Sequence, residues 1–212
     1  MIGVYALATD APAGLTGAKG ETLRAIECGG FSALAGEPPP PLSVEALRAH
    51  EAAVRRIADA CAACLPVRFG SSSQDDETLR RHLESRAAEL NEALQLVRGR
   101  EQMTLRVNGP GAPAPLPSPA GGTGTRYLEE RRRARKMPEL DPLRTALTAL
   151  IRAERLERHS EPGLLASVYH LIDRGASAEY LRITEATVLE GLRLLVSGPW
   201  PAWSFAPEVA AP

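Results

Sequence analysis

Cys61 and Cys64 stand two residues apart, a spacing used by zinc thiolates and by redox dithiols. Zinc would need two further ligands, and no second Cys or His pair follows at ligand spacing. A redox dithiol is activated at a helix N-terminus, whereas these two fall at the C-terminal end of a predicted helix. Cys61 also continues an apolar stripe, so the pair reads as small packed hydrophobes. With Cys28 the cysteine count is odd, which argues against a disulfide framework and for a reducing compartment. His50, His82, His159 and His170 have no catalytic company in the form of a Ser–His–Asp order, a paired-carboxylate motif or a phosphate loop. Gly14, Gly17 and Gly20 lack the spacing of a dinucleotide-binding turn. These residues call for no catalytic role, no cofactor and no metal.

Binding chemistry is better represented. Arg126, Arg131, Arg132, Arg133, Arg135 and Lys136 would cluster on one predicted helix, and clustered cations can contact phosphates. Glu129 and Glu130 interrupt that run, Glu129 can pair with Arg133 one turn on, and Tyr127 is the one aromatic beside it. A solvated face or an acidic protein partner fits this pattern better than nucleic acid. The formal net charge of −1 agrees, since nucleic-acid binders usually carry a positive excess. Glu51 falls within an apolar helix stripe and Arg68 within a nearby apolar strand, which suggests a buried or half-buried ion pair fixing geometry. The alternative makes Arg68 or His50 part of a partner site. Trp200, Trp203 and Phe205 concentrate aromatic surface near the C-terminus. They suit either an interface anchor or, as favoured here, the cover of one end of a second domain's core.

The elements that hold these residues can be read from periodicity. Ile2 to Ala8 predicts a strand, and Thr22–Cys28 with Phe31–Ala35 predicts a hairpin turning at Gly29-Gly30. The prolines at 38–41 stop the pairing. Ser43 caps a helix with Val44, Leu47, Val54, Ala58, Cys61 and Leu65 in register, and Cys64 to Gly70 follows as a strand with an edge proline. After a polar loop at Ser71 to Gln74, Asp75, Asp76 and Glu77 open one long amphipathic helix that runs through Val97 to a stop at Gly99. Glu101 to Val107 reads as a strand. Asn108 to Thr125 is rich in Gly, Pro, Ala and Ser and predicts a flexible loop. Tyr127 to Lys136 is a charged helix. Asp141-Pro142 caps and opens another, with Leu143, Ala146, Leu147, Leu150 and Ile151 on its apolar face. Leu164–Ile172 predicts a buried strand, Ala178–Leu189 a helix, and Leu192–Val196 a last strand broken by Gly198-Pro199-Trp200-Pro201. The order predicts an α+β protein of two domains. No stretch is long and apolar enough for a membrane helix and no leader pattern opens the chain, so a soluble, cytoplasmic protein is expected.

Several of these segments together resemble the gas vesicle protein F/L (GvpL/GvpF) family. They are the opening strand Val4-Tyr5-Ala6-Leu7 with its Gly-rich loop, the helix start with Leu47 and His50-Glu51, and Leu65-Pro66-Val67-Arg68-Phe69-Gly70, which is similar to the family's central motif. Tyr127-Leu128-Glu129-Glu130-Arg131-Arg132 and the closing Gly198-Pro199-Trp200-Pro201-Ala202-Trp203-Ser204-Phe205-Ala206 are similar to later family motifs. The chain is short for the family, Ser71-Ser72-Ser73 matches loosely, and the insert before Tyr127 carries no family pattern. The resemblance implies an N-terminal mixed α+β domain over 1–98 and a C-terminal modified ferredoxin-like domain over 99–206, with the flexible loop 108–125 inside the second. It implies a non-enzymatic accessory role in gas vesicle assembly, in contact with the major hydrophobic shell protein and other accessory vesicle proteins, with no nucleic-acid or lipid-membrane partner. Glu51, Arg68, Phe69, Tyr127, Arg131, Trp200 and Trp203 are the candidate structural or interface residues. Two other readings stay open on the residues alone: a small enzyme of unrecognised type, and a nucleic-acid-binding regulator using the helix at 126–136.

Overall fold

A computed structural model describes residues 1–110, 137–159 and 162–209. They form a mixed α and β architecture of two units, each with its own sheet. The first comprises Met1–Glu101 and the segment from Trp200; the second is Gln102–Pro199.

In the first unit, β1 (Ile2–Thr9), β2 (Arg24–Cys28), β3 (Phe31–Gly36) and β4 (Ala63–Pro66) pair in the order β2-β3-β1-β4, and the short β5 (Ser72–Ser73) also pairs with β1. The expected hairpin forms: Cys28 pairs with Phe31 across Gly29 and Gly30, at φ 53° and 105°, a conformation that glycine adopts without steric cost. Ala6, Ala8, Leu34 and Cys64 join one buried cluster with Ala53, Val54 and Ile57 of α1 (Val44–Ala60). The alternate residues Leu7, Ala33 and Leu65 are equally buried, so both faces of the sheet are covered. Helix α2 (Asp76–Glu84) packs along β2, and α3 (Ala87–Val97) along β4.

The caps at 43 and 75 act as their residue types suggest. The Ala46 N–H donates to Ser43 Oγ at 3.1 Å, and the Thr78 N–H to Asp75 Oδ1 at 2.8 Å. Ser43→Ala is expected to lower the stability of this unit by about 1 kcal/mol, read from its urea midpoint. Other boundaries differ from the expected ones. The long helix breaks at Ser85 and Arg86, where Ser85 Oγ donates to the His82 carbonyl instead of letting the helix continue. The strand expected through Gly70 ends at Pro66; the chain then turns, with Gly70 at φ 89°, and part of the expected polar loop becomes β5.

The second unit runs β6 (Arg100–Asn108), α4 (Asp141–Leu147), β7 (Ile151–Arg158), β8 (Leu164–Asp173), α5 (Ser177–Ala186) and β9 (Arg193–Trp200), with strand order β7-β8-β6-β9. Met103, Leu105 and Val107 alternate on β6 and meet Ala166, Val168 and Ile172 of β8, Leu143 and Leu147 of α4, and Tyr180 of α5 in one core. Leu150 and Ile151, expected on a helix face, instead lead into β7, which the sequence reading missed. Asp141 does not cap α4. A 3-10 turn at Pro138–Leu140 precedes it, and the Asp141 carboxylate takes Arg144 instead. Gly198 and Pro199 do not break the last strand, which continues to Trp200. The segment from Trp200, placed by the sequence reading in the second domain, belongs to the first unit. Most of the expected loop, and all of the helix at 127–136 with Tyr127 and Arg131, lie outside the described residues.

Candidate functional site

The residues of the 65–70 motif and the closing motif meet around one histidine. Helix α1 buries His50, whose ring nitrogen Nε2 lies 2.9 Å from the Val67 carbonyl and donates to it. The ring stacks on Tyr5 of β1, with centroids 5.1 Å apart, and takes the edge of Phe69 at 5.6 Å. Trp203 lies 6.4 Å away and packs against the α1 core. Tyr5 is anchored in turn, its hydroxyl donating to Glu21 at 2.7 Å and accepting the Ala18 N–H at 3.0 Å. Burial, with the neighbouring Glu21 carboxylate, pushes the Tyr5 phenol up to about 12 against the opposing Ala18 hydrogen bond. A cavity of about 90 Å³ beside this stack is lined in part by Val67, Arg68, Ser71, Trp203 and Glu208.

The candidate residues separate here. Phe69 and Trp203 join the stack. Trp200 lies under the Arg55 guanidinium, 4.9 Å from the ring centroid. The Glu51–Arg68 pair does not form: Glu51 is exposed on α1, and Arg68, 80% exposed, donates to Glu208 Oε1 at 3.1 Å. Val54, Ala58 and Cys61 of the expected stripe are buried, but toward the start of the helix the buried face passes through His50 and Ala53, and Val44, Leu47 and Glu51 turn to solvent. The aromatic segment covers the first unit's core rather than the second's, with Phe205 only 2% exposed.

Burial lowers the His50 pKa, against a smaller opposing effect of its bond to Val67. The folded protein resists protonation that the unfolded chain accepts near pH 6.5, so the stabilisation is complete above that pH and declines below it. The urea midpoint of the first unit is expected to fall between about pH 7 and 5.5, and His50→Gln is expected to flatten that decline.

The second unit holds a separate polar chain that sequence reasoning missed. His170 of β8, 1% exposed, lies 2.7 Å from the Tyr180 hydroxyl of α5 and 3.0 Å from Glu154 Oε2 of β7. An ionised carboxylate can only accept, so His170 Nε2 donates to Glu154, and in the neutral ring Nδ1 accepts from Tyr180. Arg144 of α4 donates to both Glu154 oxygens at 3.0 and 3.1 Å, and also to Asp141. Burial alone would raise the Glu154 carboxyl, but the His170 and Arg144 hydrogen bonds outweigh it and hold the group at about 2. Burial raises the Tyr180 phenol. The network joins two strands and two helices through groups that satisfy one another, which is a structural task.

Cys28, Cys61 and Cys64 are buried thiols outside any disulfide. Among the described residues no group of three or more His, Cys, Asp or Glu is placed to hold a metal ion, and no helix is long and apolar enough to cross a membrane.

The family model described as gas vesicle synthesis protein GvpL/GvpF matches residues 2–114 and 121–207. Gas vesicle protein L of Streptomyces sp. (strain CB03234) is 26% identical over 92% of this chain and 87% of its own length. The crystal structure of gas vesicle protein GvpF from Anabaena sp. PCC7120 superposes with a TM-score of 0.73 at 18% identity, over 100% of this chain and 98% of the other. GvpF from Microcystis aeruginosa gives a TM-score of 0.70 at 16% identity, over 97% and 98%.

Proposed function

The chain belongs to the gas vesicle synthesis protein GvpL/GvpF family, and on that premise we propose that it supports vesicle assembly by binding the hydrophobic shell protein and other accessory vesicle proteins, with no covalent step. It is an accessory gas vesicle protein. The observation that carries the reading is the extent of the family match, which takes in nearly the whole chain and both units. We read the second unit as a modified ferredoxin-like domain, which its βαββαβ succession and β7-β8-β6-β9 order support. The protein works in the cytoplasm, at gas vesicles.

The physical need for such a partner is plain. A shell subunit that is apolar enough to exclude water exposes surface that self-associates before assembly. A water-soluble protein that covers part of that surface keeps the subunit competent. In this reading Arg68 and Glu51, exposed on the first unit, serve as rim contacts, and Phe69, Trp200 and Trp203 hold that surface in shape. The test is deletion of this chain in a vesicle-forming strain with no duplicate copy, together with co-expression and pull-down of the shell protein. Loss of vesicles and recovery of a complex are expected. Normal vesicles and no complex would overturn the reading.

A further inference from the structure

The four sheet edges are treated differently, and one has neither a run of charges nor a second strand neighbour among the described residues. An unpaired strand edge offers a row of backbone donors and acceptors to any extended chain, so proteins cover such edges or charge them. Edge β2 lies under α2: Arg24 grips Asp76 at 2.8 and 3.0 Å, and Arg80 Nε donates to the Glu27 carbonyl at 3.3 Å. Edge β4 is buried at all four residues and packs along α3, while the Gly99 N–H closes on the Ala62 carbonyl just before it at 2.9 Å. Edge β7 carries Arg152, Glu154, Arg155, Glu157 and Arg158 within eight residues. Edge β9 has only Arg193 as a charge, and its one strand neighbour among the described residues is β6.

Beside the first half of β9 runs an open groove of about 690 Å³, whose lining includes Gly109, Gly163, Leu164, Gly191, Leu192 and Leu195. Leu195 is 49% exposed. A bare backbone edge recognises extended chain, and an adjoining apolar groove recognises its side chains; strand addition uses both. We propose that Arg193–Val196 of β9 is a strand-addition site for an extended, apolar and uncharged segment of a partner protein. The occupant follows from the site. The ladder selects extended backbone, the leucines select apolar side chains, and Arg193, the one charge of the strand and part of the groove lining, repels a basic segment while the remaining lining offers an acidic one only apolar and backbone surface. A second copy of this strand is a poor match, because antiparallel pairing would set Gly198 and Pro199 against the open half, and proline donates no ladder bond. The proposal rests on the assembly reading above and assigns it a surface on the second unit.

The test uses the full chain and an uncharged probe, Ac-Ser-Val-Thr-Val-Thr-Val-Ser-NH2, with a version N-methylated at alternate residues that keeps the side chains but loses ladder donors. Slowed hydrogen exchange at Arg193–Val196 is expected with the first peptide, and at least about tenfold weaker binding with the second. Leu195→Lys alters an exposed side chain, so the fold is retained, and it is expected to weaken binding to a similar degree. Equal binding of both peptides, no protection at β9 up to about 1 mM peptide, or an unchanged affinity of Leu195→Lys would each overturn the proposal. So would concentration-dependent dimers in sedimentation that Leu195→Lys abolishes, which would assign the edge to a second copy. A parallel pull-down with shell protein separates the two ideas. Capture by both wild type and Leu195→Lys keeps the assembly reading and removes this site; no capture by wild type, with peptide protection intact, does the reverse.

Discussion

Phe205→Ala is expected to destabilise the first unit by about 3–5 kcal/mol, although the residue lies more than a hundred positions from most of that unit's chain. Phe205 is 2% exposed, and the 3-10 turn that carries it packs against β4, the strand leading to the Val67 carbonyl that holds His50. Removing the ring takes away its transfer energy and leaves a cavity that a sheet covered on both faces has little freedom to collapse. Marginal domains have only about 5–15 kcal/mol in hand, so the loss is large. The chain provides its own reporter. Its two tryptophans, Trp200 and Trp203, both lie in the C-terminal segment on the first unit. Urea unfolding followed by tryptophan fluorescence should therefore show the midpoint fall. Glu208→Gln, which removes the exposed partner of Arg68, is expected to leave that midpoint nearly unchanged, because exposed ion pairs contribute about 0–1 kcal/mol. An unchanged midpoint in Phe205→Ala would show that the C-terminal segment does not support the first core.

That long-range return explains where the sequence was readable and where it was not. Local signals worked. The alternation and tight turn predicted the hairpin, Ser43 its cap, the acidic run from Asp75 a helix start, and the apolar run at Ile2–Ala8 a strand. Each depends on neighbours within a few residues. The stripe of α1 held at Val54, Ala58 and Cys61 but not in its first turns, because Val44 and Leu47, apolar but 56% and 43% exposed, drew it toward Glu51. Neighbouring residues on a helix point about 100° apart, so a buried face running through His50, Ala53 and Ile57 as well as Val54 and Ala58 leaves Glu51 outside it. Strand β7 failed for another reason. Its charged run has strong helix formers, and its strand state comes from pairing with β8, where Leu156 meets Val168 and Glu154 meets His170. The placement of Phe205 on the first unit has no local signature at all. Phe69 and Trp203 were singled out by their motifs and lie on the His50 stack, whereas the histidine itself lay beside the expected stripe, on the part of the buried face formed with Ala53 and Ile57.

Glu154→Ala is the corresponding prediction for the second unit, with an expected loss of about 3 kcal/mol. The carboxylate sits between two donors that need it. Its removal leaves His170, 1% exposed, and Arg144, 22% exposed at its side chain, without their shared acceptor. Hydrogen exchange of β8 amides, which lie at the centre of this unit's sheet beside β7 and β6, gives the readout. A charge-specific role separates from simple packing through pH. The Glu154 carboxyl is held at about 2, below its ordinary 4.5, so its contribution is complete above about pH 4.5 and fades as pH falls toward 2. At 27% exposure of its side chain the full linkage value is an upper bound, and about 2–3 kcal/mol is expected to disappear across that interval. Glu154→Gln keeps the shape and an acceptor oxygen but cannot titrate. It should be less stable than wild type at pH 7 and should lack this acid-dependent component, so the two proteins converge near pH 2. If the difference between them were the same at pH 7 and pH 2.5, the network would hold Glu154 by shape alone, and its ionised form would have no part in joining β7 and β8 to the two helices.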